Sequence, residues 1–219
     1  MKKLISVLLL TFILNSHAKI GMIAEVGNLA CLSDNKGKMT AQVGIRLKGA
    51  NAKEKNLVEK VVQTIIELTN EQQAERLLSG LTINFEDVLR QSTTGGCLPA
   101  HQLVRNQIFM ARYCKRKNGS HFDIPKKEGI LIHEIGHFVA NKRGFYPQYN
   151  EAVSQWRKCK ISRYMVQSSS GQKHSNRNEE FAEVFAAYLI YPKELKRKCK
   201  KSYNFLKDAL FLGQHQSCK

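Results

Sequence analysis

Apolar residues recur three and four positions apart in several long stretches of the chain, which is the spacing of one face of a helix. The first stretch covers 52–68, and Asn51 followed by Glu54 gives it the capping-box pattern of a helix start. A short second helix then runs to about Ser79, where Gly80 stops it. The same spacing predicts later helices over 126–143, 151–164, 179–191 and 193–212.

Strand patterns are confined to the first half of the chain. Residues 81–85 alternate between apolar and polar, and 107–113 forms a second candidate strand. Residues 29–33 and 41–47 are expected to pair as a hairpin across the polar turn between them. The sequence contains no repeat and no low-complexity linker. It therefore predicts one α+β domain with a small sheet in its N-terminal half and a helical C-terminal half.

The first 18 residues have the pattern of a secretory signal peptide. Lys2 and Lys3 precede an apolar run over 4–14, and Ser16 and Ala18 are the small residues that a signal peptidase reads. That run is shorter than the roughly 20 residues a membrane span needs, although an N-terminal anchor is the alternative. We expect cleavage after residue 18 and a mature domain over 19–219. The mature chain would then lack a transmembrane span and be secreted, to the periplasm or the extracellular space.

Six cysteines follow the expected cleavage site, and no pair has the C-x-x-C spacing of a zinc knuckle or a redox site. An even number of cysteines in an exported chain predicts disulfides. Six cysteines allow about 15 complete pairings, and the sequence does not choose among them. Of these pairings we favour Cys97–Cys114 and Cys159–Cys199.

Charge and composition narrow the range of partners. The chain is 42% hydrophobic and 24% charged, which is typical of a folded domain and excludes wholesale disorder. Its net charge is +17, which falls to +15 once Lys2 and Lys3 are removed. A basic surface favours anionic partners, such as phospholipid headgroups, acidic wall polymers, nucleic acid or an acidic protein or peptide substrate, although it also serves solubility. Aromatic residues are not interleaved with basic ones, so no nucleic-acid partner is expected. We also expect a monomer.

The residues with the clearest chemistry are the run HEIGH at 133–137, inside the helix predicted over 126–143. Residues i and i+4 of a helix face the same side, so the imidazoles of His133 and His137 can bind one Zn²⁺. Glu134 lies one step round the helix, where it can take a proton from a zinc-activated water. The neighbouring positions are apolar, and Gly136 leaves room for an element packed closely beside the metal.

A catalytic zinc site needs a third protein ligand, and the helix predicted over 179–191 offers carboxylates. Glu179 and Glu183 are four positions apart on an otherwise apolar helix. One of them would bind the metal, and the other would hold a ligand histidine through its second ring nitrogen. For Glu179 and Glu180 the alternative is an acidic first turn that complements the helix dipole.

HEIGH followed some forty residues later by NEEFAEVF resembles the catalytic domains of anthrax lethal factor and the clostridial Pro-Pro endopeptidases. This resemblance to a gluzincin-like family covers roughly 126–191. It implies a zincin-like fold, peptide hydrolysis and a zinc cofactor. It also implies that Glu179 is the third metal ligand, that Glu183 supports a ligand histidine, and that Glu180 occupies the variable position between them.

The chain departs from that family at one position. The family carries a Tyr seven residues before the ligand Glu, where it can stabilise the oxyanion, and Gln172 stands there in this sequence. Tyr164 and His174 are nearby candidates for the same catalytic role. The expected function is a secreted zinc endopeptidase with Glu134 as general base. The alternatives are a non-catalytic basic zinc-containing binding protein, which the intact Glu134 disfavours, and a zinc hydrolase of a cell-wall peptide.

Overall fold

The computed structural model describes residues 38–88, 100–104, 106–115, 118–124, 127–153, 159, 161 and 177–214. Within these residues the chain is mixed α+β, as predicted. All described strands lie between residues 46 and 123, and all described regular structure from residue 127 onward is helical. The predicted signal peptide, 1–18, lies outside the described residues.

A four-stranded sheet forms the β part of the fold. It contains β1 (Arg46–Lys48), β2 (Thr82–Glu86), β3 (Ala100–Val104) and β4 (Gln107–Ala111), in the order β1-β2-β4-β3. The first three strands in that order run parallel, and β3 runs antiparallel to β4. Two further short strands, β5 (Tyr113–Lys115) and β6 (His121–Asp123), pair as a separate antiparallel hairpin. The strands predicted at 81–85 and 107–113 are therefore present, although the second one ends at Ala111.

The predicted strand over 41–47 is mostly wrong. Residues Met39–Gln42 form a short helix, α1, and only Arg46–Lys48 are extended. Gly44 separates the two with φ +74°, a left-handed conformation that glycine adopts without strain. The strand then pairs parallel to β2, and its expected partner at 29–33 lies outside the described residues.

Two helices connect β1 to β2, as the apolar spacing predicts. These are α2 (Ala52–Leu68) and α3 (Glu71–Leu78). The capping box of α2 is present: the Asn51 side chain accepts the Glu54 N–H at 2.9 Å, and the Glu54 carboxylate accepts the Asn51 N–H at 2.8 Å. Both helices bury an apolar face in the core, which includes Val58, Val61, Val62, Ile65, Leu68, Leu77 and Leu78.

The C-terminal half consists of helices. They are α4 (Lys127–Arg143), α5 (Phe145–Val153), α6 (Arg177–Ile190), α7 (Pro192–Lys198) and α8 (Lys200–Ala209). The helices predicted over 126–143 and 179–191 correspond to α4 and α6. The single helix predicted over 193–212 is two helices, because the backbone leaves the helical region at Cys199 (φ −137°, ψ 54°). No helix within the described ranges has the length and apolar content that a membrane span requires.

The helix predicted over 151–164 begins earlier than expected. It starts at Phe145, directly after Gly144, and its described part ends at Val153. Pro147 occupies the third position of this helix. The first four N–H groups of a helix have no acceptor within the helix, so a proline there removes no helical hydrogen bond. The aromatic residues at 145, 146 and 149 therefore belong to α5, which packs against α4, α6 and α8.

One predicted disulfide is confirmed. Cys159 is bonded to Cys199. The disulfide therefore joins the break between α7 and α8 to the segment that follows α5. Cys114 is also disulfide-bonded, but its partner lies outside the described residues. The pairing of Cys114 with Cys97 therefore stays a prediction.

Helices α4 and α6 approach each other closely at Gly136. A Cβ added at Gly136 would lie 3.0 Å from the Cα of Ala182 and 3.1 Å from the Cβ of Phe185. Any larger residue would push the two helices apart, so the glycine of HEIGH is required by packing. This contact sets the histidines of α4 opposite the glutamates of α6.

Candidate metal centre

Three side chains from α4 and α6 converge. The Nε2 atoms of His133 and His137 lie 3.1 Å apart. The Oε2 atom of Glu179 lies 3.2 Å from the first and 3.4 Å from the second. These three residues each offer one ligand atom, and the atoms all lie within 4.8 Å of one another, so the group can bind a metal ion.

The chemistry of this donor set fits a divalent cation. Two imidazole nitrogens and one carboxylate oxygen are ligands that zinc accepts. A second carboxylate, Glu183, is only 6% exposed, and its Oε2 atom is buried without a hydrogen-bond partner among the described residues. Buried negative charge of this kind is costly unless a cation balances it. A divalent ion held by His133, His137 and Glu179 would supply that balance.

Glu183 lies behind the first histidine. Its Oε1 atom is 2.7 Å from Nδ1 of His133, the ring nitrogen that faces away from the convergence point. An Nδ1–H that donates to this carboxylate leaves Nε2 free to bind a metal. This contact has the geometry of the supporting role that the family resemblance implies for Glu183.

Charge at the site controls the protonation of His133. Burial alone would lower its pKa, but the hydrogen bonds to Glu179 and Glu183 outweigh burial and raise the pKa to about 10. Burial would raise the pKa of Glu179, but its interactions with His133 and His137 outweigh burial and hold that pKa well below its usual range. In the metal-free chain the proton on His133 therefore balances part of the negative charge that a bound cation would otherwise balance.

Metal binding is therefore expected to release about one proton at pH 8, because His133 must lose its proton to coordinate. Zinc affinity should rise about tenfold per pH unit between pH 7 and 9, below the His133 pKa of about 10. The raised pKa also stabilises the metal-free fold below about pH 6.5, and this contribution is lost as the pH rises through 10. Calorimetric titration with zinc in two buffers of different ionisation enthalpy measures the released proton.

The matched variant for this measurement is Glu183→Gln, which removes the carboxylate charge but keeps the size of the side chain. It should release less than one proton at pH 8, since His133 loses a partner that holds its proton. Equal binding heats for the wild type in both buffers would contradict the assigned protonation of His133.

Glu134 is half-buried and follows His133 on α4. Its carboxylate acts electrostatically on both His133 and Tyr146, so it lies near the converging ligands. The other two predicted catalytic residues, Tyr164 and His174, lie outside the described residues, as does Gln172. Their role in stabilising an oxyanion stays a prediction.

Sequence reasoning missed Tyr146. Its hydroxyl oxygen lies 2.7 Å from Nδ1 of His137, so each of the two converging histidines has a partner on its second ring nitrogen. Burial raises the pKa of the Tyr146 hydroxyl, and the nearby charges of Glu179 and Glu134 raise it further, so the phenol stays neutral. The available signal was the aromatic run that follows the helix-stopping Gly144.

Sequence reasoning also gave Glu180 no role beyond an acidic first turn, yet its side chain is only 1% exposed. One carboxylate oxygen accepts from the Tyr149 hydroxyl at 2.9 Å and from the Cys159 backbone N–H at 3.2 Å. The other accepts from the Arg177 guanidinium at 2.7 Å. These bonds attach the first turn of α6, which carries Glu179, to α5 and to the disulfide.

No known family model matches the chain, and a comparison with curated proteins finds no match either.

Proposed function

We propose that this chain is a zinc-dependent endopeptidase with a zincin-like fold. The observation that supports this proposal is the convergence of His133, His137 and Glu179, with Glu134 beside them on the same helix. Two histidines and a glutamate complete three of the four positions of a catalytic zinc site, and the remaining position stays open for chemistry.

Zinc would be held by Nε2 of His133, Nε2 of His137 and Oε2 of Glu179. When bound, it would supply Lewis acidity that polarises a peptide carbonyl and makes water nucleophilic at neutral pH. Glu183 would keep the hydrogen of His133 on Nδ1, since it accepts from that atom at 2.7 Å. This contact would orient the ring and raise its basicity as a ligand.

Glu134 would act as the general base and then as the general acid. Its half-buried carboxylate is reachable by water, so it can accept the proton of the attacking water. The same oxygen can then donate that proton to the nitrogen of the departing amine. One carboxylate would thus serve both halves of the reaction.

Export and charge suggest the setting and the substrate class. The Cys159–Cys199 disulfide supports a secreted protein, because such bonds persist in oxidising compartments. A mature net charge of +15, after loss of Lys2 and Lys3 from a chain of +17, favours acidic peptides. We propose that the enzyme acts as a monomer on protein or peptide substrates.

The test is digestion of a peptide library by the purified mature protein, before and after metal removal. We expect internal peptide bonds to be cut and cleavage to be lost with a zinc chelator. Added zinc should restore it, whereas added Ca²⁺ or Mg²⁺ should not, because both prefer all-oxygen ligand sets. A zinc-loaded protein that cuts no library member would contradict the proposal and favour the non-catalytic binding protein.

A further inference from the structure

We infer that Tyr146 is a positioning residue of the metal centre, which accepts the Nδ1–H of His137 and so fixes the ring tautomer that can bind a metal. The inference rests on the proposed metal site, but it concerns a residue outside the ligand set.

The direction of the hydrogen bond follows from the position of the other ring nitrogen. Nε2 of His137 lies 3.1 Å from Nε2 of His133 and 3.4 Å from Oε2 of Glu179, so this nitrogen faces the convergence point. It can coordinate only through a free lone pair, and a neutral imidazole then carries its hydrogen on Nδ1. The Tyr146 oxygen, 2.7 Å from Nδ1, must therefore be the acceptor.

Packing holds the phenol ring in the place this bond requires. The chain turns at Gly144, which has φ +65°, and α5 returns across the end of α4 that carries His137. The Tyr146 ring lies edge-on to Phe181, with centroids 5.7 Å apart. Phe181 is fully buried in α6, two residues after Glu179. Tyr146 therefore contacts both helices that supply metal ligands.

The aromatic cluster behind Tyr146 fixes it further. Phe181 also packs edge-on to Tyr149 at 5.3 Å and to Phe205 of α8 at 6.5 Å. Rigid aromatic contacts of this kind leave the hydroxyl little freedom to move away from His137. The position of the acceptor is thus set by three packed helices.

The two ligand histidines consequently have unlike partners. Nδ1 of His133 faces the carboxylate of Glu183, whereas Nδ1 of His137 faces a neutral phenol. A carboxylate acceptor raises the basicity of an imidazole ligand more than a phenol does. Tyr146 should therefore contribute mainly orientation and tautomer, and Glu183 should contribute ligand strength as well.

The test is the Tyr146→Phe variant, which keeps the ring and its contact with Phe181 but removes the acceptor. We expect its zinc dissociation constant to rise about 10- to 100-fold, the range for partners of this kind, in competition with a chromophoric chelator. Long-range ¹H–¹⁵N spectra of metal-free protein should show the hydrogen of His137 on Nδ1 in the wild type. The variant should show a mixture of both tautomers.

The control is Tyr203→Phe, which removes a phenol hydroxyl from a buried ring of α8 that stacks on Tyr188. It should leave the zinc affinity and the His137 tautomer unchanged. A Tyr146→Phe protein with wild-type affinity would overturn the inference, and so would weaker binding with an unchanged tautomer, since packing alone would then explain the loss. A wild type that binds no zinc would overturn the proposed function itself, which separates the two failures.

Discussion

The Glu134→Gln variant is expected to keep about one zinc ion per chain and to lose about 10²- to 10⁴-fold in kcat. Glutamine has the size of glutamate and can occupy the same half-buried position on α4, but its amide cannot accept a proton from water. The metal ligands are untouched, so binding and chemistry should separate. Metal content by mass spectrometry, together with cleavage rates on the best library peptide, measures both.

The matched control is Glu128→Gln, the same substitution in the first turn of the same helix. It should retain wild-type zinc content and wild-type kcat, since Glu128 precedes the HEIGH run by more than a turn. Full peptidase activity in Glu134→Gln would sink the general-base assignment. Loss of zinc from that variant would instead indicate that Glu134 is a ligand.

Local patterns explain which parts of the fold could be predicted from sequence. The capping box at Asn51 and Glu54, and the glycine that ends α4 at position 144, act within a few residues of the helix ends they define. The pairing of His133 with His137 is equally local, because helical spacing alone places both rings on one side. Helix α4 and its two histidines therefore followed from short-range rules.

Long-range contacts explain the errors. Residues 41–47 alternate like a strand, but parallel pairing of β1 with β2 decides which of them are extended, and β2 lies more than thirty residues away. The last helix is interrupted at Cys199, where a bond to Cys159 joins distant segments. Neither partner is visible in the local pattern of apolar and polar residues.

The supporting residues of the site divide in the same way. A partner for Glu183 could be predicted because a carboxylate on an apolar helix needs one, and the family resemblance implied that this partner is a ligand histidine. Tyr146 could not, because its contact with His137 requires the chain reversal at Gly144 and a helix start that Pro147 obscures. Glu180 looked like an ordinary acidic residue of a first helical turn, and only its tertiary partners distinguish it from Glu179.

The Glu179→Ala variant is expected to lose stoichiometric zinc, with a dissociation constant raised by more than about 100-fold, beyond the range for residues that only support a ligand. Its Oε2 atom lies 3.2 and 3.4 Å from the two Nε2 atoms, so of the three converging residues only the two histidines would remain as ligands. The side chain is 29% exposed, and alanine favours helix, so α6 should still form. Zinc content and chelator competition measure the loss, and circular dichroism checks the fold.

Ranking three glutamate variants by zinc affinity tests whether Glu179 is the third ligand. Glu179→Ala removes a ligand, Glu183→Gln weakens the partner of His133, and Glu194→Ala removes an exposed carboxylate that pairs with Arg197 and Lys198. Zinc affinity should therefore fall most in the first, about 10- to 100-fold in the second, and not at all in the third. If Glu179→Ala kept normal zinc while Glu183→Gln lost it, the third ligand would be Glu183, and α6 would have to rotate relative to α4. The close packing of Gly136 against Ala182 opposes such a rotation. A Cβ at Gly136 would lie only 3.0 Å from the Cα of Ala182, so the two helices have little room to slide.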